Sequence, residues 1–192
     1  MIDAAMVRER FADLLEMIGD ERLRGQVVEA WLLACAEGGW TDLEQVERMP
    51  FSLLTDCGGL GFLEHTEAVT RGALGLAQAQ VDAYEVMPYR IDFDRLIAGG
   101  LLHDVGKLLE IEPDGAGGYR MSRHGRCTRH PISGTVIAAR VGLPVEVRNS
   151  IACHSREGDG QPRTVETILI HQADFATFDP FTLRAAGRLI EE

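Results

Sequence analysis

Apolar residues recur along almost the whole chain at a spacing near 3.6, the period of helices that turn one face to a core. This spacing predicts helices over 3–18 and 21–37, with Gly38-Gly39 as the stop. Thr41-Asp42-Leu43-Glu44 fits a capping box opening a short helix, and Pro50 lies just beyond its end. After Gly58-Gly59-Leu60-Gly61, a helix is expected over 62–87 and another over 92–109, the latter starting near the polar Asp92-Phe93-Asp94. Between 110 and 129 the period fails. Pro113-Asp114-Gly115-Ala116-Gly117-Gly118 is a strong turn signal, and its flanks suit a short hairpin near 110–122. Helical spacing resumes over 132–141, with Pro131 in the first turn and Gly142 at the end. Further helices run from Pro144 to His154, over 164–177 and over 181–191. No alternation of strand and helix points to an open parallel sheet, so the expected fold class is all-α.

Composition narrows the function. A chain of 192 residues with 45% hydrophobic content buries a core without staples, so any metal it binds serves chemistry rather than folding. Cys35, Cys57, Cys127 and Cys153 show no close paired spacing and read as reduced cytosolic thiols. No signal segment is evident and no apolar run approaches a membrane span, so a cytoplasmic location is expected. A net charge of -11 argues against a nucleic-acid polymer as partner. Within that acidic chain, Arg120, Arg123, Arg126 and Arg129 cluster directly before His130, which suits either a small anionic substrate or a solvated loop paired with nearby acids.

The chemistry centres on Leu101-Leu102-His103-Asp104-Val105-Gly106-Lys107, where adjacent metal-ligand types sit in an apolar stretch. Lys107 is the only lysine in the chain, and it stands three residues after Asp104, on the same helical face. His65 lies upstream, and His130, His154 and Asp174 follow. Neutral imidazole and carboxylate bind zinc, iron, manganese or nickel with three or four ligands per ion, so four His and two Asp suffice for two divalent metals. Each residue alone has an ordinary structural reading as a core histidine or a helix-end acid; the ordered set, using four of only six histidines, favours a site. Of the remaining two, His171, one turn before Asp174, suits packing or support of a ligand, and His124 faces either solvent or substrate.

With these residues in place, the chain resembles the HD-domain superfamily of helical metal-dependent phosphohydrolases. The resemblance rests on His65, on His103-Asp104 within His-Asp-Val-Gly-Lys, and on Asp174 within His-Gln-Ala-Asp; His130 in His-Pro-Ile-Ser-Gly and His154 in His-Ser-Arg-Glu-Gly match the extra histidines of binuclear members. It covers about 59–192, implying a catalytic HD-type helical bundle there and an N-terminal helical extension over 1–58 that carries no motif. The apolar faces of that extension either cap the core or form a homodimer interface.

The resemblance implies that His65, His103, Asp104 and Asp174 bind one ion and that Asp104 bridges to a second held by His130 and His154. Lys107, His124, Arg126, Arg129 and Arg156 are then the expected substrate contacts, with Lys107 and Asp104 the catalytic pair. The Gly-Tyr-Pro element and double histidine of the cyclic-dinucleotide phosphodiesterases are missing, since Ser155 follows His154. The expected function is hydrolysis of a small phosphorylated substrate by a metal-bound hydroxide. A mixed-valent diiron oxygenase acting on a phosphonate or polyol shares the ligand set, and a non-catalytic metal-bound sensing module is a third reading.

Overall fold

The computed structural model describes residues 1–191 and is helical throughout except for one hairpin. Asp3 caps α1 (Ala4–Arg10) by accepting from the backbone N–H groups of Ala5 and Met6. The expected helix over 3–18 breaks at Phe11, because this buried ring turns into the core against Trp31, 5.1 Å away between centroids, and α2 (Ala12–Glu16) restarts beyond it. The long α3 (Glu21–Gly38) ends at Gly39, whose φ of 78° makes the left-handed cap that glycine accommodates without strain. Asp42 rather than Thr41 caps α4 (Leu43–Arg48).

Five further helices, α5 (Phe62–Ala83), α6 (Phe93–Leu102), α9 (His130–Arg140), α10 (Val145–Cys153) and α11 (Val165–Ala185), pack around the site. Between α6 and α9 come the single turn α7 (Lys107–Glu110), the hairpin and α8 (Arg123–Cys127). Strands β1 (Ile111–Pro113) and β2 (Tyr119–Met121) pair antiparallel with Ile111 opposite Met121, so the hairpin is present at the expected place.

Two helix boundaries differ from the periodicity. The helix expected over 92–109 stops at Leu102, and residues 103–106 make tight turns, Val105 N–H donating to the Leu102 carbonyl and Lys107 N–H to the Asp104 carbonyl. At the other end, 164–177 and 181–191 are not two helices. α11 runs through Pro180, which forfeits one backbone bond, to the carbonyl of Ala176, a residue exposed at the surface.

The N-terminal helices share one hydrophobic core with the rest of the chain. α3 packs on α6, α7 and α9. Two indoles fix that packing: Trp31 Nε1–H donates to the Leu101 carbonyl at 3.1 Å and Trp40 Nε1–H to the Leu108 carbonyl at 2.7 Å, on either side of the 103–106 turns. A second, smaller cluster joins Val69 and Ala73 of α5 to Leu96 of α6 and Ile170 of α11.

Candidate metal centre

Tight turns after α6 swing Asp104 into the middle of four imidazoles. His65 comes from the first turn of α5, His103 from the end of α6, His130 from the first residue of α9 and His154 from the end of α10. All four rings and Asp104 are buried. The Asp104 carboxylate divides between them. Its Oδ2 lies 3.2 Å from His103 Nε2 and 3.6 Å from His65 Nε2, while its Oδ1 lies 3.2 Å from His130 Nε2 and 3.4 Å from His154 Nε2. Asp174, from the middle of α11, adds Oδ1 at 3.1 Å from His65 Nε2. Two compact ligand groups result, His65/His103/Asp104 and Asp104/His130/His154.

Hydrogen bonds to the opposite ring nitrogens show what these groups are built for. His103 Nδ1 lies 2.7 Å from the Gly100 carbonyl, His154 Nδ1 2.9 Å from the Ile151 carbonyl and His130 Nδ1 3.0 Å from Glu110 Oε2. Each partner accepts only, so each Nδ1 carries a proton, which frees Nε2 to turn a lone pair toward Asp104 when a cation lies there. A lone pair facing a carboxylate at 3.2 Å is repulsive unless a cation lies between them. Consistent with this, His65 Nε2, His103 Nε2 and Asp104 Oδ1 are buried without a hydrogen-bond partner, and Asp104 Oδ2 has only the Lys107 ammonium beside it, an arrangement that costs free energy in the absence of a ligand. The residues therefore fit a divalent metal.

Electrostatics point the same way for His130, Asp104 and Asp174, and the other way for His65. Burial lowers the His130 imidazole below its ordinary range, against the pull of Glu110, which favours the neutral ligand form. Burial works against the Asp104 charge, but Lys107 and His103 outweigh it and hold the carboxyl well below its usual value. For Asp174, burial is likewise outweighed, by His65 above all, and its carboxyl falls to about 2. His65 goes up: burial lowers it, and the Asp104 and Asp174 carboxylates more than offset that.

Lys107 stands at the rim. Its ammonium is 2.5 Å from Asp104 Oδ2 and donates to the Phe51 carbonyl at 2.5 Å. Phe51 in turn stacks on the His65 ring, with centroids 4.3 Å apart and planes 14° from parallel. The centre opens into a cavity of about 700 Å³, lined near the ligands by Lys107, Arg129, Arg156 and Glu157.

Other expected substrate contacts are placed elsewhere. His124 and Arg126 lie on exposed α8, outside the cavity walls, because α8 turns its buried Gly125 inward against Glu110 and directs its longer side chains away; His124 Nε2 pairs instead with Ser133 Oγ at 2.7 Å. Arg129 lines the cavity with its guanidinium already engaged, by Glu110 at 2.7 Å and Glu157 at 3.1 Å. His171 turns Nδ1 to the His154 carbonyl, supporting the segment that carries that ligand.

Two residues escaped sequence reasoning. Glu110 is 5% exposed and accepts from the His130 backbone N–H at 2.6 Å as well as from its ring, so it sets both the start of α9 and the tautomer of its first residue. Burial raises its carboxyl, but His130 and Arg129 outweigh this and lower it. Its one sequence signal is a position three residues after Lys107. Phe51 had none.

The HD domain family model matches residues 62–176, the stretch from the first turn of α5 to just past Asp174. The chain belongs to the HD domain family. Among its relatives is the dihydroneopterin 2',3'-cyclic phosphate phosphodiesterase of Methanocaldococcus jannaschii, 31% identical over 177 residues that make up 88% of this chain and 68% of that protein. Ribonuclease Y of Desulforudis audaxviator is 34% identical over 116 residues, 60% of this chain and 18% of the relative. Ribonuclease Y of Thermotoga maritima is 27% identical over 117 residues, 60% of this chain and 20% of the relative. No solved structure matches the chain significantly. Among the described residues, no helix is long and apolar enough to cross a membrane.

Proposed function

We propose that this HD-domain protein is a metal-dependent phosphohydrolase that binds two divalent ions and cleaves a small phosphodiester, with a cyclic phosphate the best candidate. One observation carries the reading: a single buried carboxylate, Asp104, directs one oxygen to His65 and His103 and the other to His130 and His154. That division suits a carboxylate bridging two ions, with Asp174 completing the first set. Such ions supply Lewis acidity and a water acidic enough to attack at neutral pH. The named activities of the relatives, cyclic phosphodiester and RNA cleavage, support hydrolysis over oxygenation.

The chain's own groups fit the charge balance of that reaction. Water adds to phosphorus and one P–O ester bond breaks, leaving a phosphomonoester and a freed hydroxyl, which stay on one molecule when the diester is cyclic. Lys107, pinned by the Phe51 carbonyl, keeps a compact positive charge beside Asp104, where a phosphoryl group entering the cavity would meet it. Arg129 is a positioning residue in this scheme, since both faces of its fork are held by Glu110 and Glu157. Arg156 has no carboxylate partner among the described residues and remains available to the substrate.

The test is to strip the protein, reload it separately with manganese, iron, nickel or zinc, and assay 2',3'-cyclic AMP, p-nitrophenyl phosphate and a short RNA. Release of adenosine monophosphate with two ions bound, lost in Asp104→Asn, is the expected result. A fully loaded protein that cleaves no phosphodiester overturns it. Oxygen uptake by the iron form with a polyol or phosphonate would then install the oxygenase reading, and no turnover of any kind the sensing module.

A further inference from the structure

The Asp104 centre occupies only the inner end of its cavity. A volume of about 700 Å³ falls within the roughly 300–1,000 Å³ that encloses a whole small ligand, far more than a phosphoryl group needs. The outer part is built from aromatic rings that the ligand set leaves unused. Phe175 and Phe178, partly buried, follow Asp174 on α11 and line the cavity. Phe178 stands nearly perpendicular to the buried Phe51 ring, at 84° with centroids 6.3 Å apart, so Phe51 backs the wall that the half-buried Phe178 presents. Arg156 reaches over from the loop after α10, its guanidinium carbon 5.9 Å from the centre of the Phe175 ring. Ile111 and Met121, paired across the hairpin, also line the cavity.

We propose that this pocket is the specificity subsite and takes a planar heteroaromatic ring borne by the organic part of the phosphodiester, an inference that rests on the hydrolase reading above. Phe175 and Phe178, half-buried on the cavity wall, keep ring surface open to a flat guest, and stacking on such rings tolerates different heterocycles because it uses the π-face rather than a hydrogen-bond pattern. Arg156 is suited to the same guest. Its guanidinium already lies over an aromatic ring, and its planar fork of donors meets the ring nitrogens or carbonyl oxygens that distinguish a heterocycle from a plain hydrocarbon. The enclosed volume and the net charge of -11 favour one small ligand over a polymer.

Two substrates with the same reacting group separate the subsite from the chemistry: 2',3'-cyclic AMP and glycerol 1,2-cyclic phosphate, assayed with the metal-loaded protein. Wild type is expected to prefer the adenosine compound by at least about tenfold in kcat/KM, chiefly through KM, as one stacked base warrants. Phe175→Leu and Phe178→Leu, which keep apolar bulk but remove the ring, should each cut that preference by about tenfold. Equal kcat/KM for the two compounds in wild type overturns the subsite, as does a preference that persists in both variants. Calorimetric binding of adenosine 2'-monophosphate gives a readout independent of turnover. If wild type cleaves neither compound, the hydrolase reading fails and binding alone decides: weaker binding in the leucine variants upholds the aromatic subsite, and unchanged binding overturns it.

Discussion

Glu110→Gln removes a charge while keeping shape, and the structure says which half of the centre should notice. Glu110 Oε2 serves the His130 backbone N–H and ring Nδ1, and Oε1 serves Arg129. Glutamine keeps one acceptor oxygen. If that oxygen faces His130, the amide NH2 faces the Arg129 guanidinium and one charge-assisted bond is lost, worth about 1.5–3 kcal/mol when buried. Arg129 is 40% exposed, so solvent screening cuts that to about 1 kcal/mol, or roughly 2–4 °C in Tm for a chain of this size. The effect on metal is larger, because a neutral amide no longer polarises the imidazole, and loss of such an outer partner costs about 10–100-fold in affinity. That loss belongs to the ion on the His130/His154 side alone, since His65 and His103 take their second hydrogen bonds elsewhere. Titration of the metal-free protein against a competing chelator, followed by metal content after dialysis, reads both affinities. A uniform weakening of both ions, or none, would refute the division of Asp104 into two half-sites.

Three further substitutions probe what holds the centre in place. Gly106→Ala puts a Cβ 2.1 Å from the His130 carbonyl oxygen and 2.6 Å from the Gly134 nitrogen, both backbone atoms that cannot swing aside. α7 and α9 must then separate, with an expected loss of about 1–3 kcal/mol in denaturant unfolding and a weakened His130-side ion; full stability and full metal content would contradict the close approach. Trp40→Phe leaves the buried Leu108 carbonyl without its donor and should cost about 1–3 kcal/mol by the same measurement, a wild-type midpoint refuting it. Glu67 binds Arg10 and Arg71 at 3.0 and 2.9 Å; partial burial pulls its carboxyl up, but these partners outweigh it and hold the value below the ordinary 4.5. A depressed carboxyl stabilises fully above 4.5 and loses that contribution as pH falls through its folded value, so the Tm gap between wild type and Glu67→Gln should close in acid. A gap that stays constant from neutral pH into acid would remove the pairing from the account.

The letters pointed to the candidate ligands because such residue types are scarce: with only six histidines, an ordered set is visible. Most helix positions were legible from the 3.6 period, and the hairpin from its glycines. What the period hid was the break after Leu102. Residues 103–106 are tight turns written in letters that suit a helix, and they bring His103 Nε2 and Asp104 Oδ2 to 3.2 Å where a continuous helix sends neighbours about 100° apart. Glu110 was hidden for the opposite reason. A glutamate near a helix end reads as solvated, and only the return of the chain 20 residues later buries it against His130. The arginine cluster stood open between a substrate and nearby acids, and Arg129 meets the acids: Glu157, 28 residues on, occupies one side of it.

Part of the cavity wall comes from outside the segment that carries the candidate ligands. Ser52, Leu53 and Leu54 line it from before the family-matched stretch, and Phe51 ties them to the centre twice, by its carbonyl to Lys107 and by its ring to His65. The helices carry the candidate ligands, and this strap, tied to them through Phe51 and by the Thr55 hydroxyl to the Phe181 carbonyl, adds wall to the cavity without adding a ligand. Leu54→Ser tests that separation. Leu54 is 75% exposed at the cavity lip and touches no ligand, so its loss should leave metal content and Tm close to wild type while raising KM for an apolar-ended substrate by a few-fold. A fall in bound metal would mean that the strap supports the centre and that wall and chemistry are not separable. A rise in KM alone would mean that this segment, which carries no motif, shapes one lip of the substrate cavity without supporting the metal centre.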